Sequence, residues 1–339
     1  MSERHPSWGS DDRYYASRLP AADQEQRSSE TLRRVTSLLD YYDPHIHEHV
    51  ERACKQWNLT VRDSLRSEMA LRLSVGEDTQ AVPVRIAEGL PRPFEAVLAL
   101  HLHDIWFLLN GLRIEQTLQG LRFVHEYYDE LTKRPVLYPL LATRAEIQHV
   151  YLYTERLATL IRNLPLVSHL GRIDQDILGA YFFRVPRIDL YWRAIGLMAA
   201  LLGISVEALT VVAITHELAH AYTHLGRDVE VGRWDTEAFA HAELPIVEGL
   251  AQFYTGVVCS KLDQRLPAAK VAYERLLEHQ AAAYTAHRGW TQPEEAGGEI
   301  VRLAMIQART NREVKYETFR RLLEAHRQTL NRGRPLRKQ

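Results

Sequence analysis

Apolar residues recur every three or four positions over most of the chain and alternate over only one short stretch. Leu32, Val35, Leu38 and Leu39 sit at helical spacing, as do Leu98, Leu102, Ile105 and Leu109. Residues 31–176 therefore read as a helical N-terminal region. Pro83, Pro91, Pro93, Pro135 and Pro139 punctuate it and mark element boundaries. Residues 81–87 suggest a short strand, which Pro83 would confine to a sheet edge. At Leu178 the texture changes. Residues 180–185 are aromatic and β-branched, Pro186 interrupts, and residues 188–192 partly alternate, so the pattern predicts a hairpin or two short strands.

The run from Ile195 to Ile214 is apolar enough, and about long enough, to be weighed as a membrane span. Gly203 and Ser205 interrupt it, Glu207 sits inside it, and Glu217 with two histidines follows. These features predict two buried helices with a break over residues 202–205. Ser205 reads as the N-cap of the second helix and Glu207 as an acid suited to its first turn. That helix should run from Val206 to about Leu225 and stop at Gly226. A further helix begins near Pro245 and carries Ile246, Val247, Leu250, Phe253 and Tyr254. The rest, to about residue 330, is helical again. Residues 1–30 read as a polar, mobile arm and 331–339 as a basic tail. The expected class is α+β, predominantly α-helical, with residues 177–330 as one domain.

Composition narrows the partners. Lysine plus arginine number 42 and aspartate plus glutamate 43, so there is no field favouring nucleic acid or an anionic membrane. Cys54 and Cys259 are the two cysteines of the chain. They form no metal-ligand pair and no disulfide framework, and the N-terminus shows no apolar leader. These features point to the cytoplasm and leave the oligomeric state open.

The chemistry concentrates in His216-Glu217-Leu218-Ala219-His220. Histidines four apart lie about 40° from one another around a helix, so both imidazoles reach one ion. Glu217 projects about 100° from His216, beside the ion without ligating it. There it can accept a proton from water activated by zinc. A catalytic zinc takes three protein ligands and leaves a place for water. Thr223 and Gly226 stand where a metzincin needs glycine and histidine. The stronger candidate is Glu248, 28 positions after His220, near the start of the next helix. The small residues Gly249 and Ala251 would let that helix approach the first.

The pair His-Glu-Leu-Ala-His and Pro-x-x-Glu-Gly-Leu-Ala resembles the gluzincin, or peptidase MA-like, group of zinc metallopeptidases, over roughly residues 178–256. The resemblance implies a zincin-like domain, Zn2+ on His216, His220 and Glu248, Glu217 as general base, and a protein or peptide substrate. It also implies that the strand region before the helix holds the substrate backbone. The thermolysin-like branch often has aspartate where this chain has Gln252, which can still bond an imidazole but adds no charge. Tyr284, His287 and Tyr316 are candidates for the group that steadies the oxyanion.

Rival ligands are His224, one turn further along the helix, and His241 and Glu243 before the next one. Asp228, Glu230 and Asp235 read as a solvated loop. His45, His47 and His49 offer a second metal site, of which a helix would align only His45 and His49. His101 and His103 beside Asp104 read as polar breaks in an apolar helix. The rival function is a degenerate zincin fold that binds a partner or senses a ligand; another keeps the metal and cleaves a non-peptide bond.

Overall fold

A computed structural model describes residues 21–73, 82–133, 142–164, 177–227, 232–292 and 296–332, together with Leu166 and His169. The fold is α+β and predominantly helical, with one three-stranded sheet among the described residues.

Helix α1 (Ala21–Tyr42) begins inside the segment read as a polar arm, so only residues 1–20 of that arm lie outside the described residues. Helix α2 (Ile46–Met69) shows why a stripe makes a helix here. Ile46, Val50, Ala53, Trp57, Val61, Leu65 and Met69 recur every three or four positions, and all are buried. Strand β1 (Val84–Ala87) lies at one edge of the sheet, as Pro83 led us to expect. Helices α3 (Arg92–Leu100), α4 (Leu102–Glu126) and α5 (Tyr128–Thr132) follow, then α6 (Arg144–Arg162), which packs against α4. Thr143 and Glu146 form a reciprocal capping box that starts α6.

The hairpin consists of β2 (Gly179–Phe182) and β3 (Arg187–Tyr191), joined by a turn over residues 183–186. The sheet order is β1-β3-β2. β1 runs parallel to β3 with Val84 opposite Ile188, and β2 runs antiparallel with Ala180 opposite Asp189. The strand pattern had been read through residue 192, but Trp192 opens helix α7 (Trp192–Leu202).

Helix α7 ends at Gly203, whose φ of 61° is left-handed. Helix α8 (Val206–Leu225) then starts on Ser205, whose hydroxyl accepts from the Ala208 N–H. The break within the apolar run thus falls where the sequence placed it, and among the described residues no helix is long and apolar enough to cross a membrane. Glu207 does more than suit the helix dipole. Its Oε1 accepts from Trp57 Nε1 at 2.7 Å, tying α8 to α2.

Helices α9 (Thr236–His241), α10 (Leu244–Lys261), α11 (Pro267–Leu277) and α12 (Ala282–Thr285) follow, with a 3-10 turn over Ala286–Gly289. Helices α13 (Gly297–Ala308) and α14 (Tyr316–Arg332) complete the described chain. Helix α8 is the axis of the molecule. α2, α7, α10, α11 and β2 all pack on it, and every residue from Ala208 to Leu225 is buried. One apolar core runs from Val35 to Leu323 and includes α2 and the sheet with the C-terminal helices. Residues on both sides of position 176 therefore share it.

Candidate metal centre

His216 and His220 project from the middle of α8, and Glu248 from the first turns of α10 packed beside it. Their donor atoms converge. His216 Nε2 lies 3.0 Å from His220 Nε2 and 3.1 Å from Glu248 Oε2, and His220 Nε2 is 3.7 Å from Glu248 Oε1. All three ligand atoms fall within 4.8 Å of one another, and no other group of three or more such residues does so among the described residues.

This donor set fits a zinc-like ion. Two imidazoles and a carboxylate are a ligand combination that zinc accepts. The charge balance points the same way. Glu217 is 1% exposed and Glu248 0%, with His216 and His220 also buried. Burying two carboxylates beside two imidazoles is costly unless charge is balanced within the cluster. A divalent cation is one group that would balance it.

Glu217 lies against the hairpin. A Cβ on Gly179, the first residue of β2, would fall 2.7 Å from Glu217 Cγ and 2.8 Å from its Oε1. Any larger residue at 179 would displace the carboxylate. Sequence reasoning passed over Gly179; the available signal was an isolated glycine at the head of a strand, which often marks a close approach. Two residues along the same face, the Tyr181 hydroxyl hydrogen-bonds His224 Nδ1 at 2.9 Å. The other ring nitrogen, Nε2, lies 3.2 Å from Thr236 Oγ1. Burial, aided by the nearby charge of Arg309, pushes the His224 pKa down to about 4, so the ring is neutral. Burial also raises the Tyr181 pKa, so the phenol keeps its proton. His224 fastens β2 to α8, with both nitrogens engaged away from His216, His220 and Glu248.

The other candidates are dispersed. His241 Nδ1 meets the Glu237 carbonyl at 2.6 Å, and Glu243 Oε2 accepts from the Tyr316 N–H at 2.7 Å. Asp235 is exposed at the end of the connecting loop, where it caps α9, while Asp228 and Glu230 lie outside the described residues. Gln252 donates to Gln280 Oε1 at 2.9 Å, not to an imidazole. His45, His47 and His49 do not converge: each lies nearest a different carboxylate, Glu48, Glu88 and Asp43 respectively.

Of the oxyanion candidates, Tyr284 stacks on His216 with ring centroids 6.0 Å apart and is 2% exposed. Tyr316 instead holds Trp290 Nε1 and the Ala286 carbonyl. His287 lies 3.0 Å from both the Tyr284 carbonyl and the Tyr273 hydroxyl, and burial pushes its pKa down to about 4. Gly249 was read as room for the helix–helix approach. Its space is taken instead by Trp290, whose Cη2 lies 2.5 Å from where a Cβ would stand. Arg309, 83 positions after Gly226, donates to the Gly226 and Tyr222 carbonyls and so caps the C-terminal end of α8.

Comparison with protein families, with curated proteins and with solved structures found no significant match to this chain. The reading of the site therefore rests on its own residues.

Proposed function

We propose that the protein is a zinc-dependent hydrolase of the gluzincin kind that cleaves a peptide bond. The observation that carries this reading is the convergence of His216 Nε2, His220 Nε2 and a Glu248 oxygen within 4.8 Å, from two packed helices, with Glu217 on the same helix as the histidines. A zinc ion on these three atoms supplies a Lewis acid for the scissile carbonyl and brings the pKa of a water towards neutrality.

Glu217 takes the proton from the attacking water and passes it to the leaving amine. Gly179 leaves the room in which the carboxylate sits. Strand β2 supplies the backbone that aligns the substrate. Tyr191 N–H bonds Leu178 O at 2.9 Å, so by antiparallel alternation positions 180 and 182 face β3. The polar backbone groups of Gly179 and Tyr181 then point to the open edge, where an extended peptide can pair with them. A small sheet whose antiparallel edge strand packs on α8 supports the reading of a zincin-like domain. Of the three oxyanion candidates Tyr284 alone touches a ligand imidazole, so that role falls to it.

Replacing Glu217 by Gln tests the mechanism. The variant should retain its metal and lose about 10²- to 10⁴-fold in turnover of a quenched-fluorescent peptide. Undiminished turnover would overturn the role of Glu217, and a metal-free wild type would favour a non-catalytic binding module instead.

A further inference from the structure

A second pair of imidazoles presents ring nitrogens to each other, away from α8. His101 stands at the junction of α3 and α4, and its Nε2 lies 2.7 Å from Nδ1 of His169, with ring centroids 4.8 Å apart. The pair matches His216 and His220, whose nitrogens are 3.0 Å and centroids 4.6 Å apart. His101 Nδ1 is 2.8 Å from Asp104 Oδ2. An ionised carboxylate only accepts, so Nδ1 carries the proton and Nε2 presents its lone pair towards His169. This is the tautomer that ligation needs, and a carboxylate behind an imidazole both orients the ring and raises its basicity. The side chains of His101 and Asp104 are 13% and 25% exposed, shielded yet reachable.

The geometry points to a second metal site, in which His101 Nε2 and His169 Nδ1 bind one divalent ion of the zinc–copper group and Asp104 orients His101. Imidazole pairs favour these ions over calcium or magnesium. Bonds of about 2.0–2.1 Å in tetrahedral geometry place the two nitrogens about 3.3 Å apart. The pair must therefore open by about 0.6 Å and give up its N–H···N bond, which two half-buried rings can do by small rotations. Among the described residues no third histidine, cysteine or carboxylate completes the set, and the proposed site has two protein ligands with water in the remaining positions. The site is accordingly the weaker and more exchangeable of the two. When filled, it clamps the start of α4 to His169.

The full-length chain, stripped by chelator and titrated calorimetrically with Zn2+, should take up two ions in two steps. Replacing His101 and His169 by Gln should remove the weaker step and spare the tighter one. Replacing His216 and His220 by Gln should do the reverse, so a failure at either site is read separately. Asp104→Asn should lower the affinity of the weaker step about 10- to 100-fold and keeps the question answerable if the double variant unfolds. Cu2+ added to the chain lacking His216 and His220 should give an electron paramagnetic resonance spectrum with two nitrogen ligands. A single step in the wild type that survives replacing both His101 and His169, two steps unchanged by that replacement, or a nitrogen-free copper spectrum in the chain lacking His216 and His220 would each overturn the site.

Discussion

Helices α6 and α8 are nearly the same length, 19 and 20 residues, yet they meet opposite surroundings. On α8 every residue from Ala208 on is buried, including the charged and polar ones. On α6 four apolar residues at alternating three- and four-residue spacing stand in the open: Val150 at 51%, Tyr153 at 77%, Leu157 at 40% and Leu160 at 60% exposed. Both sequences carry the apolar residues of a packed helix. The difference lies in the neighbours. Helix α8 is enclosed by α2, α7, α10, α11 and β2, whereas α6 packs mainly on α4. Apolar residues at helical spacing thus say that a face exists, not that it is covered. Buried histidines and glutamates on an enclosed helix are the more informative signal, because burying them needs compensation.

The sharpest way to break the comparison is to truncate one leucine on each helix. Leu218→Ala on α8 should cost about 2–5 kcal/mol, and Leu160→Ala on α6 less than about 0.5 kcal/mol, both by urea denaturation. Equal losses would mean that α6 is covered in solution.

Acid should sharpen it next. His224 and His287 have pKa values pushed down to about 4 by burial, against an ordinary value near 6.5. The unfolded chain takes up these two protons first, so the stability they report is complete above pH 6.5. It falls as the pH drops towards 4 and levels off below that, by up to about 3 kcal/mol per group. Urea titrations of the metal-free protein at pH 7, 5.5 and 4 should show this decline, and His224→Gln should make it shallower.

Two glycines make the same contrast in function. Gly179→Ala drives a methyl into Glu217 and should cut turnover at least about tenfold, a barrier of roughly 1.4 kcal/mol, with metal content unchanged. Gly120 on α4 has nothing within 4 Å of a new Cβ, so Gly120→Ala should stabilise by about 0.5–1 kcal/mol and leave turnover alone.

These contrasts also show what a sequence can and cannot disclose. Local signals were legible: Ser205 as a cap, the break at Gly203, the end of α8 at Gly226, and the spacing of His216, Glu217 and His220 are written in neighbouring residues. Glu248 was legible because its helix is the next long one and carries Pro245 in its first turn. Long-range partners were not. Nothing near Gly249 announces that Trp290 fills its space, nor does anything near Gly226 announce Arg309. The parallel pairing of β1 with β3 joins residues about a hundred positions apart, and the Tyr181–His224 bond joins a strand to a helix across the hairpin. Alternation and helical period specify faces, while these contacts depend on which faces meet.

Metal content tests the central claim most directly. After dialysis against a weak chelator, the wild type and Glu217→Gln should each retain one zinc per chain, and Glu248→Ala should retain much less than one. Retention of one tightly held zinc by Glu248→Ala, or of none by the wild type after zinc is offered, would contradict the assignment of His216, His220 and Glu248 as its ligands.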